Sequence, residues 1–128
     1  MMNPPSFPAA SLYVALGGGI GAWLRFAAGR WIASAAFPVA TLAVNILGSF
    51  AMGLLAGWLT RQGGHEPARL LLGVGVLGGF TTFSAFSLEI VTLAQRGAIG
   101  LSALYAALSL AGGVLGLLAG LALVRAAA

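Results

Sequence analysis

The residues of this chain with types suited to chemistry are few, and they sit where water should be scarce. Asn45 and Ser49 are four residues apart, so they share a helix face, within the uncharged stretch 31–60 between Arg30 and Arg61. An asparagine amide carries two N–H donors and one carbonyl acceptor. In an apolar setting it can receive an anion without a fixed positive charge that would hold the ion too tightly to let it pass. It can equally serve as packing glue between helices. The segment 78–89 reads Gly-Gly-Phe-Thr-Thr-Phe-Ser-Ala-Phe-Ser-Leu-Glu. Two glycines followed by two β-branched threonines make a poor helix centre, and Thr81 lies near the middle of an uncharged run. A helix interrupted there frees carbonyls at mid-membrane depth, tolerated only where they are buried in protein or ligate something. Such oxygens suit a hard cation such as Na⁺. Two antiparallel copies crossing here would each give two carbonyls to one shared ion.

Phe80, Phe83 and Phe86 recur every three residues. A phenyl ring has a positive edge, which attracts an anion weakly when turned toward a pathway; core packing or lipid contact is the other reading of the stripe. Tyr105 and Ser109 are four apart, and Ser102 precedes Tyr105 by three, which fits a hydroxyl track or ordinary interhelical bonds. Glu89 is the one acid expected at or inside the membrane boundary, and an ion pair with an arginine is favoured over a proton-coupled role. His65 and Glu66 fall in a polar, solvated loop. With one His, no Asp and no Cys, the chain offers no catalytic triad, zinc site or thiolate, and no enzyme activity is expected.

The elements that must position these residues follow from composition. Of the 128 residues, 60% are apolar and 6% are charged, against roughly 25% charged in a soluble domain. A soluble globule is excluded. The arginines are scattered, so no nucleic-acid surface is present. Charges delimit four apolar runs, each long enough for a bilayer core about 30 Å thick. They predict an all-α integral membrane protein, a single transmembrane domain over 1–128 with spans near 9–30, 38–60, 69–95 and 98–124. The third span is expected to be broken near its centre. Pro38 suits the first turn of the second helix, and Arg61-Gln-Gly-Gly-His-Glu-Pro67 is a connection. The stretch before the first span has no positive charge, unlike a secretory signal, so that span is expected to be retained.

Arg61, Arg69 and Arg125 fall on one side of the membrane, and Arg25, Arg30 and Arg96 on the other. Without a positive-inside bias, insertion in both orientations and head-to-tail pairing follow naturally. Four helices leave little room for a water-filled route within one copy, so at least a dimer is expected, with lipid around it. Small residues repeat every four positions at Gly17 and Gly21, at Gly53 and Gly57, and at Gly112, Gly116 and Gly120, as close helix contact requires. Gly17-x-Gly19-x-x-Ala22 and Gly73-x-Gly75-x-x-Gly78 match a dinucleotide pattern only formally, lacking the preceding strand and the later acid.

The run at 78–89 resembles the third-helix signature of the Fluc (CrcB) fluoride channels. Thr41-Leu-Ala-Val-Asn45-Ile-Leu-Gly48 resembles their second-helix motif, and Gly-Gly-Ile-Gly-Ala-Trp-Leu-Arg25 their first. The resemblance covers nearly the whole chain. It implies a dual-topology antiparallel homodimer in the bacterial inner membrane, multi-pass, with two fluoride pathways. It also implies a structural Na⁺ at the dimer centre on the backbone carbonyls of Gly78 and Thr81. By motif position it places Asn45, Phe83, Phe86, Tyr105 and Ser109 on the fluoride pathway. Arg25, Thr82 and Glu89 become structural or gating candidates. Many members have a threonine where this chain has Ala85, so Ser84 is expected to substitute in part. The polar track often continues one turn past Ser109, where Gly113 stands here. The implied function is passive exit of fluoride from the cytoplasm. Two alternatives carry less: a proton-coupled multidrug-type exporter needs a carboxylate in the first helix, which has none, and a non-transporting membrane subunit gives Asn45 and the Phe stripe no purpose.

Overall fold

The computed structural model describes residues 4–32 and 34–127, and every regular element among them is helical. Helix α1 spans Phe7–Trp31 and α2 Val39–Arg61. The third span, Glu66–Gln95, consists of a first turn α3 (Glu66–Ala68), a π-helical stretch Arg69–Leu77, the turn α4 (Gly78–Phe80) and helix α5 (Phe83–Gln95). Helix α6 spans Ile99–Ala126. All four spans are long and apolar enough to cross a membrane, with 25, 23, 30 and 28 residues. At 1.5 Å per residue even the shortest reaches about 35 Å.

The connections are built from residues that stop helices. Pro38 immediately precedes α2. Between α2 and α3, Gly63 and Gly64 take φ values of 68° and 85°, a region open mainly to glycine, and Gly64 N–H returns to the Leu59 carbonyl at 2.9 Å. The Arg69 guanidinium then grips both Glu66 oxygens at 2.7 and 2.8 Å. This pair is solvent-exposed, so water screens it and it adds little to stability. After α5, Gly97 turns at φ 80°. Its N–H bonds to the Ala94 carbonyl and that of Ala98 to Leu93, both at 3.0 Å, which is the Schellman closure of a helix end.

Two tight helix pairs hold the bundle. Helix α1 lies against the stretch 69–80, and α2 lies against α6. In both, backbone meets backbone. A methyl group on Gly17 would strike the Leu71 carbonyl, and one on Gly21 the Val76 carbonyl. In the second pair, Gly53 abuts Leu117 and Gly120 abuts Phe50, while Gly112 and Gly116 both face Ile46. The glycine repeats are therefore contact surfaces, and the two dinucleotide-like segments lie in helices rather than after strands. The π-helical stretch was not foreseen. Its wider turns set Leu71, Val76 and Phe80 in succession along α1, and such turns recur beside functional sites.

The interior is small. Val44, Phe86, Leu93 and Tyr105 are the buried larger apolar residues, whereas Trp23, Phe26, Trp31, Leu110 and many others point outward. This arrangement suits a chain whose solvent is lipid.

Candidate functional site

Helical dihedrals stop at Phe80 and resume at Phe83. Thr81 (φ −81°, ψ 155°) and Thr82 (φ −149°, ψ 124°) are extended. An interruption inside an apolar span must find partners for its backbone, and α2 supplies them. The Asn45 side-chain oxygen accepts from Thr82 N–H at 2.8 Å, and the Asn45 Nδ2 donates to the Thr82 carbonyl at 2.9 Å. One amide thus pairs with one peptide unit as a neighbouring strand would. Because a backbone N–H must meet an oxygen, the amide orientation is fixed. One Nδ2 hydrogen remains for another acceptor. The two readings of Asn45, interhelical glue and anion donor, are therefore compatible, and the first is visible.

Thr82 caps the second half of the span. Its Oγ1 accepts from Ala85 N–H at 3.3 Å and lies 3.3 Å from Ser84 Oγ, the expected use of a threonine at a helix start. Two donors are diverted by these bonds. The Gly78 carbonyl would normally receive Thr82 N–H, which goes to Asn45, and the Thr81 carbonyl would receive Ala85 N–H, which goes to the Thr82 hydroxyl. These are the two carbonyls that the family resemblance assigns to Na⁺, and neither residue is buried in the chain. Thr81 is kept in place by its own N–H and hydroxyl, both bonded to the Leu77 carbonyl, at 3.0 and 2.8 Å. Gly48 of α2 faces Thr81 so closely that an added methyl would collide with the threonine methyl.

Below the interruption, Glu89 is held by two hydroxyls. Thr41 Oγ1 donates to its Oε1 at 2.7 Å and Tyr105 OH to its Oε2 at 2.6 Å. The expectation of an arginine partner for Glu89 is therefore corrected: among the described residues the one ion pair is Arg69–Glu66. Hydroxyl donors satisfy the carboxylate without burying a second charge. Thr41 was overlooked as a site residue, although it precedes Asn45 by four and Ser49 by eight on one face of α2. Arg25 stands six residues before the end of α1, about 9 Å inside it, and is half-buried.

The aromatic residues form a continuous series. The ring centroids of Phe83 and Phe86 are 5.5 Å apart, and those of Phe86 and Tyr105 5.3 Å. Phe37, from the α1–α2 connection, meets Tyr105 edge to face at 5.5 Å and 83°. Tyr105 is fully buried and Phe86 is 6% exposed, whereas Phe83 is 76% exposed. Phe83 borders an open groove with Asn45, Gly48, Ser49, Thr81 and Thr82. Ser109, one turn beyond Tyr105, has a buried Oγ with no hydrogen-bond partner among the described residues. Ser102 by contrast donates to the Ile90 carbonyl at 2.8 Å and ties α6 to α5. At the position of Gly113, an added methyl would lie 3.5 Å from Ser49 Oγ, so α2 offers a hydroxyl where α6 has none. Ser84 is on the exposed side of the cap, within reach of Thr82.

Comparison with known proteins bears on this arrangement. The family described as "CrcB-like protein, Camphor Resistance (CrcB)" matches residues 12–121. A protein of Novosphingobium aromaticivorans named "Fluoride-specific ion channel FluC" is 60% identical over 124 residues, covering 93% of this chain and 98% of its own length. Proteins of the same name from Erythrobacter litoralis and Rhodospirillum centenum are 50% and 53% identical. They cover 95% and 91% of this chain, and 95% of their own lengths in each case.

Proposed function

Since the chain belongs to the CrcB family, we propose that it is a passive, fluoride-selective channel of the bacterial inner membrane, working as an antiparallel homodimer. The observation that carries the reading is the polar clamp at the interrupted third span. There Asn45 keeps one amide N–H in reserve beside a groove bordered by Phe83 and Ser49. Such a donor, together with the positive edges of Phe83 and Phe86, recognises a small hard anion without a fixed cation. Ser109, whose hydroxyl is buried and unpartnered, and Tyr105 continue the hydroxyl path along α6.

Hydrogen fluoride crosses membranes as the neutral acid and dissociates in a near-neutral cytoplasm, where the anion is trapped. A passive route lets the inside-negative potential drive that anion out. No bond is made or broken in this process, and no energy source is needed.

The dimer reading rests on three arginines on each side of the membrane and on the outward apolar faces. A tag on the carboxyl terminus is expected at both faces of the membrane in comparable amounts, by protease or thiol-reagent accessibility in intact and opened vesicles. A single location would end the dual-topology reading. A structural Na⁺ fits the interruption, because two carbonyl groups on each copy have lost their helical donors. Gly78 and Thr81 would hold it, and its charge would pin two crossing copies together.

In a bacterium lacking other fluoride export, the chain should restore growth in millimolar fluoride, most visibly at acidic external pH where hydrogen fluoride enters fastest. Growth no better than with empty vector, despite confirmed membrane expression, would count against the proposal.

A further inference from the structure

The aromatic series does not end at Tyr105. Phe37 extends it into the connection between α1 and α2, edge to face with the tyrosine. Two open cavities meet there. One, of about 500 Å³, is lined by Gly29, Pro38, Thr41 and Glu89 among others; the second, of about 260 Å³, by Leu88, Glu89, Thr92 and Arg96 among others. Phe37 lines both, as does Glu89. Its ring therefore stands at the mouth through which the Glu89–Tyr105 pair is reached from this side, while Tyr105 itself has no exposure.

An anion entering here faces the Glu89 carboxylate, which repels it; the Arg96 guanidinium opposes that charge only in the second cavity, whereas Glu89 and Phe37 line both. The two hydroxyls bonded to Glu89 spread that charge but do not reverse it. The positive rim of a phenyl ring at the same opening offsets the repulsion without binding the anion tightly. Resting on the channel reading above, we propose that Phe37 is a further pathway residue: the entrance ring of a four-ring series Phe37–Tyr105–Phe86–Phe83, contacting the anion through its edge. Backbone geometry favours a fixed rather than a floppy ring. Pro38 follows it directly, and the Phe37 carbonyl accepts from Val39 N–H at 2.8 Å. Neither composition nor helical spacing marks this residue, because it lies outside every span.

The test separates ring character from bulk. Phe37→Leu keeps an apolar side chain of similar reach but removes the ring edge; Phe37→Tyr keeps the ring. Both are purified, shown by size-exclusion chromatography to match the native oligomer, and compared with the native chain for fluoride release from liposomes. The proposal expects release to fall about fivefold or more in Phe37→Leu and to stay within about twofold of native in Phe37→Tyr. Native rates in both variants would overturn it. Equal losses in both would also overturn it, assigning Phe37 to packing. Should the native chain itself release no fluoride, the channel reading fails first and this inference falls with it; a conducting native chain with an unaffected Leu variant removes this inference alone.

Discussion

Replacing Asn45 with aspartate is expected to lower fluoride release by about a hundredfold or more. In the native chain the amide both accepts from and donates to the Thr82 peptide unit. A carboxylate can accept from Thr82 N–H, but its second oxygen then faces the Thr82 carbonyl, lone pair against lone pair. A half-buried donor is replaced by a charged acceptor, which costs on the order of 3 kcal/mol. The spare N–H also disappears, and a negative charge takes its place beside the groove of Asn45, Ser49 and Phe83. Both effects oppose a passing anion. At 1.4 kcal/mol per tenfold, the first alone reaches about two orders of magnitude if it falls on the conducting state. Release per verified dimer from liposomes checks this; a native rate would show that neither the clamp nor the donor matters to conduction.

The second large effect is at Phe86. It is 6% exposed and packs between Tyr105 and Phe83. Isoleucine keeps most of the apolar bulk but has no ring edge and cannot complete the series. Phe86→Ile is expected to cut fluoride release about tenfold or more while the size-exclusion profile stays native, with thermal stability lowered by roughly 1–2 kcal/mol for the altered packing. Measuring release and thermal unfolding on the same preparation separates the two. Loss of release in proportion to unfolded protein would make Phe86 a packing residue, and unchanged release would remove ring edges from the mechanism. The same substitution at Phe83, which is 76% exposed on the single chain, loses within that chain the ring contact with Phe86.

The four spans were legible because charge is so scarce that Arg30, Arg61, Arg69, Glu89, Arg96 and Arg125 act as punctuation. The extended backbone at Thr81 and Thr82 was signalled by the glycine pair and the β-branched pair on either side of Phe80. What the spacing could not show was where the freed backbone groups go. The pairing of Asn45 with Thr82 joins residues 37 positions apart, and no helical period relates them. Thr41 was within reach of sequence reasoning, since Thr41, Asn45 and Ser49 follow one another every four residues, a polar stripe on an otherwise apolar helix. The partner of Glu89 was misjudged because a lone acid suggested an arginine, whereas two hydroxyls from α2 and α6 converge on it. The π-helical stretch lies against Gly17 and Gly21 of α1, a contact between distant segments that local propensity does not encode.

Selective, passive passage of fluoride is open to a direct measurement. Liposomes carrying the purified protein, loaded with potassium fluoride and chloride and free of any pH gradient, are diluted into an osmotically matched buffer low in potassium and halide, and both ions are followed with parallel electrodes after a potassium ionophore imposes an inside-negative potential. Rapid fluoride release is expected, set by the imposed potential, with chloride release at the level of empty liposomes. Fluoride retained by liposomes that hold verified dimers, or chloride released alongside it at a similar rate, would contradict selective, passive passage.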